Sequence, residues 1–172
     1  LKERIRRLDS KGGAKNDRPL RLVVAGLILR RVHNPLPELI ENPVPPSENS
    51  DAERTEVLIC QRRPDQPMSL KWEFPGGKIE PGETAEQALA RELDEELGIA
   101  ADVGRRIAHV RHKYRNGGAI DLQFFVIDQF RGEIVNRIFN DLRWSPLADL
   151  PTFDFLAADL GLIRDLAEGK LL

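Results

Sequence analysis

A single cysteine, Cys60, leaves no partner for an internal disulfide and too few thiolates for a cysteine-rich zinc site. Net charge is nearly absent: 26 Lys/Arg against 28 Asp/Glu give a formal −2, so bulk charge offers no reason to expect nucleic-acid or membrane binding. The longest apolar run, Leu22 to Leu29, is far too short to span a bilayer. No charged-then-apolar leader opens the sequence, so export is not indicated, and no internal repeat is visible. These absences point to a soluble protein of a reducing, cytoplasmic compartment. What remains is 172 residues, 41% hydrophobic and 31% charged, enough for one compact domain with its own core.

The charge is unevenly spread. Residues 1–31 carry ten Lys/Arg and three Asp/Glu, so the remainder is net acidic. Residues 1–19 read as a basic, flexible arm with few apolar side chains, for which a solvated tail is favoured over a tether. Residues 20–172 read as the folded domain. Its first strand is Leu20 to Arg31, apolar enough to be buried on both faces. Pro35, Pro37, Pro43, Pro45 and Pro46 then exclude helix or inner strand, giving a Pro-rich loop insertion at about 33–55. Val57 to Gln61 resumes as strand.

Thr84 to Leu97 is the clearest helix, with a Thr84/Gln87 capping box and Gly98 at its stop. Arg105 to Tyr114 and Ala119 to Phe130 read as strands joined across Asn116-Gly117-Gly118. Arg143-Trp144 suggests a short strand. Ala157 to Glu168 reads as an amphipathic helix with Leu160, Ile163, Leu166 and Ala167 on its apolar side. Mixed strands with two principal helices predict an α/β (α+β) domain, a mixed sheet with helices packed on it.

The chemistry concentrates in Glu73-Phe-Pro-Gly-Gly-Lys-Ile-Glu-Pro-Gly-Glu83 and Arg91-Glu-Leu-Asp-Glu-Glu-Leu-Gly-Ile99. On a helix Glu92, Glu95 and Glu96 fall at i, i+3 and i+4, crowding one face. Like charges at that spacing repel by a few tenths of a kcal/mol per pair, so a cation is expected among them. Carboxylate oxygens suit Mg²⁺ or Mn²⁺ rather than zinc or copper. Gly76 and Gly77 let the backbone approach a ligand closely, and a loop feeding a helix start offers N–H groups to an anion. Arg91, one turn before Glu95, can hold the cluster in register. Leu89 and Leu93 are placed to anchor the helix to the sheet. Metal-bound carboxylates beside a phosphate-sized opening suggest phosphoryl or nucleotidyl chemistry with water.

Gly77, Glu83, Arg91-Glu92, Glu95-Glu96 and Gly98 match the Nudix box at every specified position. At roughly 1 in 15 for each of seven fixed residues, a chance match is on the order of 10⁻⁸ per window. Trp72 to Lys78, Gln61-Arg62-Arg63 and Asp154 to Asp159 resemble the MutT-type nucleoside triphosphate pyrophosphohydrolases of that family. The resemblance implies the Nudix fold, a mixed sheet sandwiched between helices, and Mg²⁺-dependent hydrolysis of a nucleoside diphosphate linked to a further group. It implies metal binding by Glu92, Glu95, Glu96 and the Gly76 carbonyl, support from Glu83 and Arg91, and substrate contacts from Arg63, Phe74 and Asp159. MutT itself has a base-reading asparagine where Asp159 stands. Ionised aspartate only accepts hydrogen bonds, whereas a protonated one also donates. The implied partner is a nucleotide, with 8-oxo-dGTP, CTP and dCTP as candidates, and the implied assembly is a monomer or homodimer.

Two departures stand out. Many relatives carry a glutamate shortly before the tryptophan equivalent to Trp144; here Arg137 to Leu142 contains none, which leaves Asp141 or a box glutamate as general base. Tyr114 stands where ADP-ribose hydrolases tend to carry proline, and a tyrosine there resembles dinucleoside polyphosphate hydrolases. His109 and His112 share a strand, where a packed or solvated role is favoured over substrate contact. A non-catalytic, nucleotide-sensing Nudix module is the remaining alternative, against which the intact carboxylate set argues.

Overall fold

A computed structural model describes residues 20–33, 53–115 and 118–172. The basic arm over 1–19, the Pro-rich loop over 34–52, and Asn116 and Gly117 of the turn lie outside the described residues. In chain order the elements are β1 (Arg21–Val32), β2 (Arg54–Gln61), β3 (Trp72–Glu73), β4 (Gly76–Lys78), α1 (Ala85–Leu97), β5 (Ala100–Lys113), β6 (Ala119–Arg131), β7 (Asp141–Pro146), a 3₁₀ helix (Leu147–Thr152) and α2 (Leu160–Ala167). Among the described residues no helix is long and apolar enough to cross a membrane.

The mixed sheet is built on β1. One edge of β1 pairs in parallel with β6 from Arg21↔Ile120 to Ile28↔Ile127, and β6 pairs antiparallel with β5. The other edge is shared. Its C-terminal end pairs with β2 from Leu29↔Val57 to Val32↔Arg54, while its N-terminal end takes the short β4, from Val23↔Lys78 to Ala25↔Gly76. Strand β2 likewise passes from β1 to β3 at Cys60↔Glu73, with β7 along its other edge. The β1 and β2 strands therefore fork, and the segment Glu73–Gly76 crosses the fork. Gly26 N–H donates to the Pro75 carbonyl at 2.9 Å, fastening that crossing to β1.

Strand alternation assigns side chains to two cores. Val24, Ile28, Leu58, Phe125 and Ile127 meet α1 through Ala88, Leu89, Leu93 and Leu97. Ala25, Leu27, Val57, Ile59, Leu122 and Phe124 face the 3₁₀ helix and α2. The sheet is thus buried on both faces at β1, as its apolar run predicts. Both expected anchors, Leu89 and Leu93, are fully buried. Helix α1 carries the predicted capping box at Thr84 and stops at Gly98 in the left-handed conformation, φ 73°.

The structure corrects the apolar face of the last helix. Leu160 is exposed, and Leu162 joins Ile163 and Leu166 in the core. The helix begins at Leu160 rather than Ala157, and Ala158 and Asp159 turn inward ahead of it, which shifts the phase of the buried stripe. Strand β2 also starts three residues before Val57, where Val32↔Arg54 closes the ladder. The two-residue β3 and three-residue β4 are too short to leave a periodic signature.

Leu93→Ala is expected to cost about 2–5 kcal/mol of stability, because the fixed sheet cannot collapse into the space. Urea denaturation of the variant checks this.

Candidate active site

The fork dictates where the glycine pair lies. Gly76 adopts φ +147°, and a Cβ there would fall 2.2 Å from the Val24 carbonyl oxygen. Only glycine fits against β1 at that point. Its N–H donates to Oε2 of Glu96 at 2.9 Å, bringing α1 to the crossing segment. At Gly77 a Cβ would fall 2.3 Å from Cδ of Glu92, so the missing side chain is the space Glu92 occupies.

Arg91 ties the acidic residues together. Its Nε and one terminal nitrogen donate to the two oxygens of Glu83 at 2.7 and 3.0 Å. The other terminal nitrogen donates to Glu92 at 2.9 Å and reaches Glu95 at 3.5 Å. The hydrogen bonds from Arg91, together with the Glu80 N–H, hold the Glu83 carboxyl at about 2. Glu96 behaves oppositely. Burial, with repulsion from Glu92, Glu73 and Glu95, lifts it to about 8 against the pull of the Gly76 N–H. This end of the site holds more negative charge than its one arginine offsets. Hard carboxylate oxygens with unbalanced negative charge fit a divalent cation in donor type and charge. Among the described residues no three acidic, His or Cys side chains converge as a ready-made cage.

From Gly76 a cleft of about 390 Å³ runs between the sheet and the segment before α2. Phe74 lines it and is held edge-on to Phe124 at 6.1 Å and against Phe155 at 5.6 Å. Asp159 also lines it, only 3% exposed, and its carboxyl makes no hydrogen bond or ion pair within the described residues. Burial first, and the Glu73 charge second, lift that carboxyl to about 8. Near neutral pH the protonated form of Asp159 is favoured, offering one donor and one acceptor that no described residue engages.

Other expected residues are placed differently. Arg63 lies outside the cleft lining and pairs with Asp65 at 3.1 Å. Its neighbour Arg62 lines the wall instead, donating to both oxygens of Glu73 at 3.1 and 2.8 Å. Arg62 and Glu73 are cleft residues to which sequence reasoning gave no role. Asp141 pairs with Arg143 at 2.9 Å on β7 and does not line the cleft. His109 pairs with Asp121, and His112 stacks edge-on with Tyr114 at 4.7 Å; of these only Tyr114 lines the cleft.

With this geometry established, comparison with known proteins decides the family. The sequence pattern of the NUDIX domain matches residues 49–166. The chain belongs to the Nudix hydrolase family. Its relatives include the 8-oxo-dGTP diphosphatase of Escherichia coli, 36% identical over 66% of this chain and 88% of that protein. The CTP pyrophosphohydrolase of the same organism is 34% identical over 63% of this chain and 79% of that protein. A MutT structure, from a study of the Aliivibrio salmonicida and Vibrio cholerae proteins, superposes with a TM-score of 0.62 at 26% identity, covering 88% of this chain and 99% of its own. The resemblance read from the box and its flanks is thereby borne out, as is the Nudix fold. Enzymes of this family require divalent metal ions.

Two outcomes follow for this Nudix site. Gly77→Ala displaces only a flexible carboxylate, so the protein is expected to stay folded while turnover drops tenfold or more; circular dichroism and a product-resolved nucleotide hydrolysis assay check both. Asp159 binds a proton in the folded state between pH ~4 and ~8 that the unfolded chain has lost, so stability falls as pH rises through that window. With Glu96 still contributing over the same window, Asp159→Asn removes its own share of the dependence. It is expected to exceed the wild type by a few kcal/mol near pH 8 and to converge with it near pH 4 in denaturant melts.

Proposed function

We propose that this Nudix hydrolase cleaves a nucleoside triphosphate, modified or deoxy, to the monophosphate and pyrophosphate with Mg²⁺ or Mn²⁺, in the manner of nucleotide-pool sanitation. One observation carries the reading: a single cleft connects Asp159, a buried acid that no described residue pairs with, to Gly76, on whose N–H the carboxylate helix is hung.

In this reading Glu92, Glu95 and Glu96, with the Gly76 carbonyl, hold the metal, and Glu83 acts through Arg91 to keep those carboxylates in register. The ion supplies charge neutralisation at the transferring phosphoryl group and a water of lowered pKa. The chain's own residues do the rest. Phe74 and Asp159 hold the base at the far end of the cleft, and the glycine pair lets the phosphates approach the backbone. Arg63 serves the phosphates once it leaves Asp65. Water attacks a bridging phosphorus, and its proton passes to a helix carboxylate rather than to Asp141, which faces Arg143.

Protonated Asp159 pairs with a base edge that offers one N–H and one acceptor side by side. Every base offers such an edge, adenine through N1 and N6–H and thymine through O4 and N3–H included, so the pairing alone does not choose among them; guanine presents O6 beside N1–H, and cytosine presents N3 beside N4–H. The relatives' printed substrates, 8-oxo-dGTP and CTP, carry those two edges and support the same pair here.

A product-resolved hydrolysis panel tests this. It contains the four deoxynucleotides, CTP, 8-oxo-dGTP, ADP-ribose and a diadenosine polyphosphate, each with Mg²⁺ and with chelator. Monophosphate and pyrophosphate from a guanine- or cytosine-type triphosphate are expected, with turnover lost by orders of magnitude in Glu95→Gln and Glu96→Gln. Wild-type turnover in both variants, or cleavage confined to ADP-ribose or the dinucleotide, would overturn the reading.

A further inference from the structure

The segment between β2 and β3 is a short strap closed at its base by Arg62 N–H donating to the Lys71 carbonyl at 2.9 Å. Within it Met68 and Leu70 both occupy the left-handed region, with φ 56° and 59°. Side-chain-bearing residues disfavour that conformation, and it persists only where surrounding bonds fix it. Here they do. Arg62 Nε donates to the Pro67 carbonyl at 2.9 Å, and Gln61 Nε2 donates to the Leu70 carbonyl at 3.1 Å. Lys71 N–H turns back to the Met68 carbonyl at 3.3 Å.

The strap leaves two large apolar side chains uncovered, Met68 at 44% and Leu70 at 46% exposed. They differ in one respect. Met68 lines the cleft shared by Phe74 and Asp159, and Leu70 does not. A strained backbone that holds an exposed thioether at the mouth of a cleft is explained by what the thioether covers once the cleft is filled. Sulfur on a flexible chain makes favourable contact with aromatic rings and adapts to their shape. The Arg62 that fastens the strap is the same residue that pairs with Glu73 in the cleft wall, so one side chain ties strap to wall.

Resting on the nucleotide reading above, we infer that Met68 is a specificity-determining residue whose side chain covers the heteroaromatic base of the bound nucleotide. The left-handed backbone at Met68 is held so that it does so. Leu70, with the same backbone and the same exposure, has no such part and serves as an internal control.

Calorimetric titration with dGMP, dCMP and inorganic pyrophosphate, in the presence of Mg²⁺, separates the cases. Met68→Gly suits the left-handed backbone and is expected to leave the melting temperature no lower than wild type. It weakens binding of the preferred monophosphate about tenfold and leaves pyrophosphate unchanged. Met68→Asn, which also tolerates this backbone, gives the same loss, and Met68→Leu restores most of the affinity. Leu70→Gly binds like wild type. The inference is overturned if Met68→Gly binds as tightly as wild type, if Leu70→Gly loses as much, or if pyrophosphate weakens in parallel. A wild-type protein that bound neither monophosphate would overturn the nucleotide reading itself, and this one with it.

Discussion

The contact between the Gly76 peptide and β1 is the constraint from which the rest of the site follows. A backbone that touches the Val24 carbonyl cannot carry a side chain, and its N–H can point only toward α1. The hydrogen bond to Glu96 then fixes how the helix approaches the sheet, and with it the positions of Glu92 and Glu95. On its other side the same peptide ends the cleft that Asp159 and Phe74 line. One glycine thus joins an acidic face to a nucleotide-sized space. The fork between β1 and β2 exists to let that segment through.

Electrostatics divides the site into two ends with opposite needs. Near α1 Glu96 is pushed up chiefly by burial and further by Glu92, Glu73 and Glu95, and an added cation would offset that crowding of negative charge. At the far end Asp159 is raised chiefly by burial and needs no cation; it needs a polar partner that can both give and take a hydrogen bond. Glu73 bears on both, since its charge contributes to the shifts of Glu96 and Asp159 alike. Its pairing with Arg62 is therefore part of the site's charge balance as well as of its wall.

Much of this was legible in the residues. The carboxylates of α1 share a face because of helical spacing, Thr84 and Gly98 bound the helix by local hydrogen bonds, and the apolar run of β1 required burial on both faces. Each signal is short-range, so a sequence carries it whole. What escaped was tertiary. Arg62 and Arg63 are indistinguishable in sequence, and only the turn after β2 decides which enters the wall. The inward turn of Ala158 and Asp159 rotates the last helix and moves burial from Leu160 to Leu162. The left-handed backbone of Met68 is imposed by bonds from Arg62 and Lys71, which no local preference of methionine announces.

The central claim is that one cleft orients a nucleotide with its phosphates at the α1 carboxylates and its base at Asp159. Paramagnetic relaxation by Mn²⁺ measures this directly on a bound nucleoside monophosphate. The account predicts strong relaxation of the phosphorus and weak relaxation of the base protons, with both effects lost in Glu96→Gln. Base protons relaxed as strongly as the phosphorus, or relaxation undiminished in the variant, would contradict it.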